Sequence, residues 1–243
     1  PPPLSSPATP HPTRPQQVSS ASSDVYKRHE NPEASCRMAL AEAITNVSGV
    51  KHDALNEISF SANWMSSTKT ADEKGDLVRG VQALANMADN LNVSVPVGKD
   101  SLSMKVNWKE DQSEHTVTSP MTLNISSFSN VPDLNKSVTP ELSNSDTTLL
   151  HLWVHSDKYR LGGSALFQSF KLYGGATPDI DNVNQFKVLF EATQELLDKG
   201  LIEALHDISD GGLITSLIEM ALCSNQGLDL SLIHISEPTR HTR

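Results

Sequence analysis

Between Pro32 and Val47 the apolar residues Met38, Ala41, Ile44 and Val47 return every third position, the repeat of one face of an α-helix. Pro32 falls in the first turn, where its missing N–H is no loss, and Gly49 stands near the expected C-terminus. The stretch "EISFSANW" (57–64) then alternates as a strand does. Leu77, Val78, Val81, Leu84, Ala88 and Leu91 predict a second amphipathic helix that ends near Asn92. Beyond it Leu102, Met104, Val106 and Trp108 alternate, a polar "KEDQSE" turn follows, and "HTVTS" returns, which reads as a hairpin. "MTLNISSFS" (121–129) adds a strand with Met121, Leu123 and Ile125 on one face.

A polar stretch with two prolines, "VPDLNKSVTPELSNSDT", interrupts the pattern and predicts a boundary between domains at 32–146 and 147–229. In the second part "LLHLWVH" reads as a strand. Phe186, Leu189, Phe190, Leu196 and Leu197 predict a helix ending at Gly200. A short strand, "LIEALHD", leads to a last helix that closes near Gly227. The strands look antiparallel and no βαβ unit repeats, so the expected class is α+β in two domains.

Neither end continues this texture. Residues 1–15 hold seven of the fourteen prolines. Ser, Gln and Ala follow, so residues 1–31 bury too little apolar surface to offset their ordering entropy and are expected to be disordered. From Leu230 to Arg240 the chain resembles the translation of a transposase adapter used in sequencing-library preparation, which would make 230–243 extraneous to the fold. The alternation of "LSLIHIS" also fits an ordinary terminal strand.

The 243 residues carry a formal charge of −10, which argues against a broad nucleic-acid footprint. An acidic chain that binds a polyanion such as ATP needs a divalent cation between them. Cys36 and Cys223 are far apart, with no CxxC to suggest a zinc or redox pair. No apolar run reaches the roughly 18 residues of a membrane span, and no signal peptide opens the chain. The expectation is a cytoplasmic protein that engages neither membrane nor nucleic acid.

Candidate chemistry gathers at three places. "HDISDGG" (206–212) precedes an apolar helix; Ser209 or Asp210 could cap it, and the glycines permit a tight turn. Asp207 lies too early to be needed as a cap, so it is open to a metal bridging to phosphate or to a merely solvated turn. Glu42 and Asn46, four apart on the first helix, share one face and offer the hard oxygens Mg²⁺ accepts, though such a pair is also ordinary on a solvated face. Gly98-Lys99-Asp100-Ser101 is no Walker A loop; it reads as a turn opening the hairpin or as Lys99 meeting an anion. A metallohydrolase pairing His206-Asp207 with another histidine lacks a well-placed partner. Ser/His/Asp and Cys/His catalysis lack a nucleophile elbow or any cue around the cysteines.

Taken in order, "RMALAEAITNV", "ISFSANWMSS", "VPVGKDSLSMK", "VTPELSNSD", "LGGSALFQ" and "HDISDGGLITSLIEMA" resemble the phosphoribosylformylglycinamidine (FGAM) synthase family, from about Pro32 to Asp229. The likeness implies an aminoimidazole ribonucleotide (AIR) synthetase-like N-terminal domain, incomplete at its start, and a truncated AIR-synthetase-like C-terminal domain. Together these would be the second such unit of the family's synthetase region. It implies Mg²⁺ held by Glu42, Asn46 and Asp207 and ATP or ADP touched by Ser209; Lys99, from the reading of its own stretch, is added as a candidate nucleotide contact. The activity implied for the parent is an ATP-dependent carbon–nitrogen ligase of the glutamine amidotransferase type, acting on a purine-pathway ribonucleotide.

Departures accompany the likeness. A further acidic ligand of the family would fall near Pro3, where no carboxylate stands. The first synthetase unit, with its nucleotide loop and catalytic histidine, and the glutaminase domain are the partners implied from the same parent chain. This chain alone is therefore expected to be inactive. Two other readings stay open: a non-catalytic half that holds Mg-nucleotide for structure, and another ATPase of the AIR synthetase superfamily.

Overall fold

The computed structural model describes residues 16–20, 31–111, 113–143, 147–154, 158, 160–172 and 174–230. In chain order the elements are β1 (Gln16–Ser20), α1 (Pro32–Thr45), a 3₁₀ turn (Leu55–Glu57), β2 (Ser59–Met65), α2 (Ala71–Leu91), β3 (Ser94–Ser101), β4 (Lys105–Glu110), β5 (Ser113–Thr118) and β6 (Thr122–Ser129). After a second 3₁₀ turn (Leu134–Lys136) come α3 (Ala165–Ser169), α4 (Val183–Asp198) and α5 (Gly212–Ser224).

Four strands form a mixed sheet in the order β1-β6-β2-β3, and β4 and β5 make a separate antiparallel hairpin. One face of the sheet carries Phe60 and Ala62 from β2 with Leu123 and Ile125 from β6. On it lie Leu40 and Ile44 of α1 and Leu84, Met87 and Leu91 of α2, in one continuous core. Period-two alternation puts Ser61, Asn63, Asn124 and Ser126 on the other face, half-buried and polar. The two helices approach closely because of Gly80. A Cβ there would sit 2.8 Å from Cys36 Sγ and 3.1 Å from the Met121 methyl. That proximity is reason enough for a glycine inside a helix, where it costs about 1 kcal/mol relative to Ala.

Local chemistry sets the helix ends. Asn31 caps α1, its side chain accepting from Ala34 N at 2.9 Å, and Pro32 takes the first turn. Thr70 and Glu73 form a capping box on α2. The Glu73 carboxylate is held below its ordinary range, first by the Thr70 N–H and then, against the opposing effect of desolvation, by Ser67 and Lys69. The second helix therefore starts at Ala71, well before the first apolar residue of the repeat.

Several expectations are corrected. Residues 16–20, inside the stretch expected to be disordered, pair antiparallel with β6. Main-chain ladder bonds hold an edge strand whatever its side chains bury, and composition does not register them. The remainder of 1–30 and residues 231–243 lie outside the described residues. Gly98-Lys99-Asp100 is not a turn: it lies inside β3, which runs parallel to β2. β2, α2 and β3 therefore make one βαβ unit in a sheet expected to be antiparallel. Pro96 is tolerated because β3 is the sheet's edge. "LLHLWV" (149–154) and "LIEALHD" (201–207) are not strands. Alternation marks which side chains could be buried, but a strand also needs a neighbour. The latter segment has a backbone bond from Leu205 N to Thr139 O at 3.0 Å and no ladder. Among the described residues no helix is long and apolar enough to cross a membrane.

Candidate functional site at the domain junction

α1 is buried on most sides by its alanines, Leu40 and Ile44, and its C-terminal turn meets the second domain. Glu42 and Asn46 stand one turn apart on it, both half-buried. Asn46 is the C-cap, and its N–H donates to Glu42 O at 2.9 Å, with Thr45 Oγ1 donating to the same oxygen at 3.1 Å. The chain then turns through Ser48 and Gly49.

Two hydrogen bonds tie this turn to the approach of Asp207. Val138 N donates to Gly49 O at 2.8 Å, and Leu205 N donates to the neighbouring Thr139 O at 3.0 Å. Asn46 lies three residues before one end of this strap and Asp207 two residues after the other. The interdomain polar segment "VTPELS" is thus the physical link between the two predicted halves of the site.

Asp207 is mostly buried. Its carbonyl accepts from Ser216 Oγ of α5 at 3.0 Å and from His206 Nδ1 at 2.7 Å. His206 Nδ1 is also 3.3 Å from the Asp207 carboxylate, and its Nε2 is 3.0 Å from Glu219 Oε2. The 2.7 Å contact to the backbone carbonyl is the hydrogen bond. His206 thus props the loop between Asp207 and α5.

The N-cap of α5 is Gly211, with φ 91° and no side-chain bond, rather than Ser209 or Asp210 as expected. Gly212 N donates to the backbone oxygen of Ser209 at 3.0 Å, closing the turn through main chain alone. A Cβ at Gly211 would lie 2.2 Å from Thr215 Oγ1, so both its conformation and the space around it require glycine. Ser209 and Asp210 are exposed beside this turn.

Lys99 is exposed on β3, away from this loop in the chain. Its register partner is Asn63, which in turn faces Asn124. The Oδ1 atoms of both asparagines are buried without a hydrogen-bond partner. Sequence reasoning missed this row; an asparagine amid the alternation of "SFSANWM" was the available signal. It also missed three side chains that join the domains. Arg37 on α1 makes a bidentate pair with Asp179, both contacts 2.7 Å. Gln194 on α4 donates from Nε2 to Ser48 O at 3.0 Å and accepts from His52 N at 2.7 Å. His52 is buried, with Nε2 3.2 Å from Val47 O and its ring stacked near Phe190. Nothing local marks any of these in sequence, because each partner across the junction lies well over a hundred residues away.

Among the described residues, no three His, Cys, Asp or Glu side chains form a group that could hold a metal ion. The set predicted from sequence is of another kind, two carboxylates and one amide oxygen. All three are hard donors, the chemistry Mg²⁺ accepts when waters and phosphate oxygens complete its octahedron.

Comparison with known proteins identifies the two domains. A profile described as the FGAR-AT PurM_N-like domain matches residues 22–130, reaching into the stretch expected to be disordered. One described as the AIR synthase related protein, C-terminal domain, matches residues 152–240, overlapping the tail read as adapter. Phosphoribosylformylglycinamidine synthase of Schizosaccharomyces pombe is 41% identical over 208 residues, covering 84% of this chain and 16% of that protein. The chain thus spans about a sixth of that relative's length. Two solved structures share the fold: T. maritima PurL complexed with ATP (TM-score 0.50, 12% identity, 87% of this chain and 29% of that one) and E. coli HypE (TM-score 0.51, 14% identity, 88% and 59%). The fold is α+β, an AIR-synthetase-like N-terminal domain followed by an AIR-synthetase-like C-terminal domain. With both domains matched in order and 41% identity over 84% of its length, the chain belongs to the phosphoribosylformylglycinamidine synthase family.

Proposed function

We propose that this chain is the second AIR-synthetase-like unit of an ATP-dependent carbon–nitrogen ligase. That enzyme converts formylglycinamide ribonucleotide to the amidine with ammonia from glutamine. The unit's own task is to hold a magnesium nucleotide where its two domains meet. Glu42 and Asn46 supply oxygens from α1, Asp207 supplies a carboxylate from the second domain, and exposed Ser209 meets the nucleotide. Lys99 gives an anionic ligand a cation on the sheet edge. The observation that carries this reading is the strap through Val138 and Thr139, which ties the end of α1 to the approach of Asp207. Magnesium, when bound, would spread the charge of the polyphosphate.

The protein's part is positional. α1 presents two oxygens on one face, Ser216 and His206 fix the backbone of Asp207, and the Gly211–Gly212 turn leaves Ser209 open to solvent. The catalytic histidine and nucleotide loop of the family belong to the first unit, and ammonia to the glutaminase domain, so this chain alone makes no amidine. The holding role could be purely structural in the whole enzyme, and the same residues would serve.

Calorimetry of ADP binding to the 243-residue chain with and without Mg²⁺ tests the proposal. Binding is expected to require the metal, and Asp207→Asn to weaken it more than Asp210→Asn. Equal affinity with and without Mg²⁺ would refute the site. The reverse order of the two variants would move the metal ligand to Asp210.

A further inference from the structure

A cation shared between α1 and the Asp207 loop tolerates little error in the distance between them, because coordination geometry is lost within a few tenths of an ångström. Ligands that come from two domains therefore need a device that fixes one domain on the other. The strap through Val138 and Thr139 is a single pair of backbone bonds in a polar segment. A second connection is buried.

Gln194 is 6% exposed and uses both ends of its amide across the junction. Its Nε2 donates to Ser48 O at 3.0 Å, two residues past Asn46, and its Oε1 accepts from His52 N at 2.7 Å. A turn earlier on α4, Phe190 stacks on the His52 ring at 6.3 Å. The segment 48–52 is thus gripped by α4 at two backbone groups and one ring. From Gln194 the chain runs through the end of α4 and Gly200 to Asp207. One side chain therefore references the end of α1 to the element that leads into the opposing ligand.

We propose that Gln194 is a positioning residue of the magnesium–nucleotide site, acting through Ser48 and His52 on the placement of Glu42 and Asn46 relative to Asp207. This rests on the metal reading given above. Residues that orient ligands without touching the metal characteristically change affinity by about ten- to a hundredfold when removed.

Gln194→Met keeps the volume and packing of the side chain and deletes both hydrogen bonds, so the variant is expected to fold. Mg·ADP affinity is measured in the whole chain for Gln194→Met, Asp207→Asn and the double variant, with thermal unfolding recorded for each. Positioning predicts that Gln194→Met weakens Mg·ADP binding about tenfold in the parent chain. In the Asp207→Asn background the loss should fall below about twofold, since the ligand it positions is already disabled. The shift in melting temperature should be the same in both backgrounds. Equal affinity losses in the two backgrounds, or no loss in the parent, overturn the positioning role and leave the metal site standing. A parent chain that binds ADP equally well without Mg²⁺ overturns both.

Discussion

The two domains use apolar residues to opposite effect. In the first, Leu40, Ile44, Ile58 and Ile125 are fully buried between two helices and a sheet. In the second, α5 is at least as apolar in sequence, yet Ile214, Ile218 and Leu222 are 67%, 53% and 74% exposed. They line an open recess of about 640 Å³ with Leu213, Leu217 and Leu228. From the second domain, Phe186 and Phe190 of α4 reach the main core. Within the second domain α4 thus packs on the first, while α5 keeps an exposed apolar face. Apolar pattern states what a helix can bury; burial depends on what stands opposite.

This contrast predicts the largest difference in stability. Ile44→Ala removes buried volume from a closed core and should cost about 2–5 kcal/mol in urea unfolding. Leu222→Ala removes as many carbons from an exposed face and should change stability by no more than about 0.5 kcal/mol. Comparable costs for the two would show that the α5 face is covered in solution, by self-association or otherwise. Repeating the measurement across protein concentration would identify the former.

A smaller effect comes from the bridge between the regions. Arg37 and Asp179 form a bidentate pair at 2.7 Å, with side chains 24% and 16% exposed. Partial exposure screens the pair, so Arg37→Met is expected to cost about 1 kcal/mol, less than a fully buried ion pair. The cost should shrink with added salt, since screening weakens what the pair contributes. A salt-independent loss would assign it to packing of the Arg37 stem instead.

The core of the first domain was legible because its signals are local. The repeat of Met38, Ala41, Ile44 and Val47 and the alternation around Ile125 each contain their own period. β1 was not, because its pairing with β6 spans more than a hundred residues and leaves no mark on composition. The direction of β3 was also hidden. "VPVGKDS" carries turn residues, and only the crossover through α2 makes it an edge strand. The site divides in the same way. Glu42, Asn46 and Asp207 could be named by spacing and resemblance, whereas Gln194, His52 and the strap at Val138 are contacts made by the assembled fold. The cap of α5 went wrong for a simple reason: Ser209 and Asp210 have capping side chains, but the left-handed turn at Gly211 moved the helix start past them.

The smallest predicted effect is a pH dependence centred on His52, the residue on which the two domains meet. Burial lowers its pKa from the ordinary 6.5, against a weaker upward pull from the Val47 carbonyl. Glu57 and Asp53 nearby also raise it, while Lys51 lowers it. From α4, Phe190 and Gln194 pack on it, and Lys187, Glu191, Glu195 and Asp198 line the same opening. Because Nε2 faces the Val47 carbonyl it must carry the proton, which leaves Nδ1 as an acceptor, buried and without a partner. Protonation would place a charge and an unbonded N–H in that position. Above 6.5 the ring is neutral both folded and unfolded, and its contribution is intact. As the pH falls through 6.5 toward the depressed folded value, the unfolded chain takes up a proton that the folded chain refuses, and stability declines. His52→Phe keeps a ring against Phe190 and removes the titration. Its unfolding free energy should therefore fall less steeply between pH 7 and pH 5 than that of the parent, as read from urea midpoints at each pH. Parallel slopes for the two proteins would show that the acid sensitivity lies elsewhere, and that the junction is held by Gln194 and Arg37 independently of the histidine's charge.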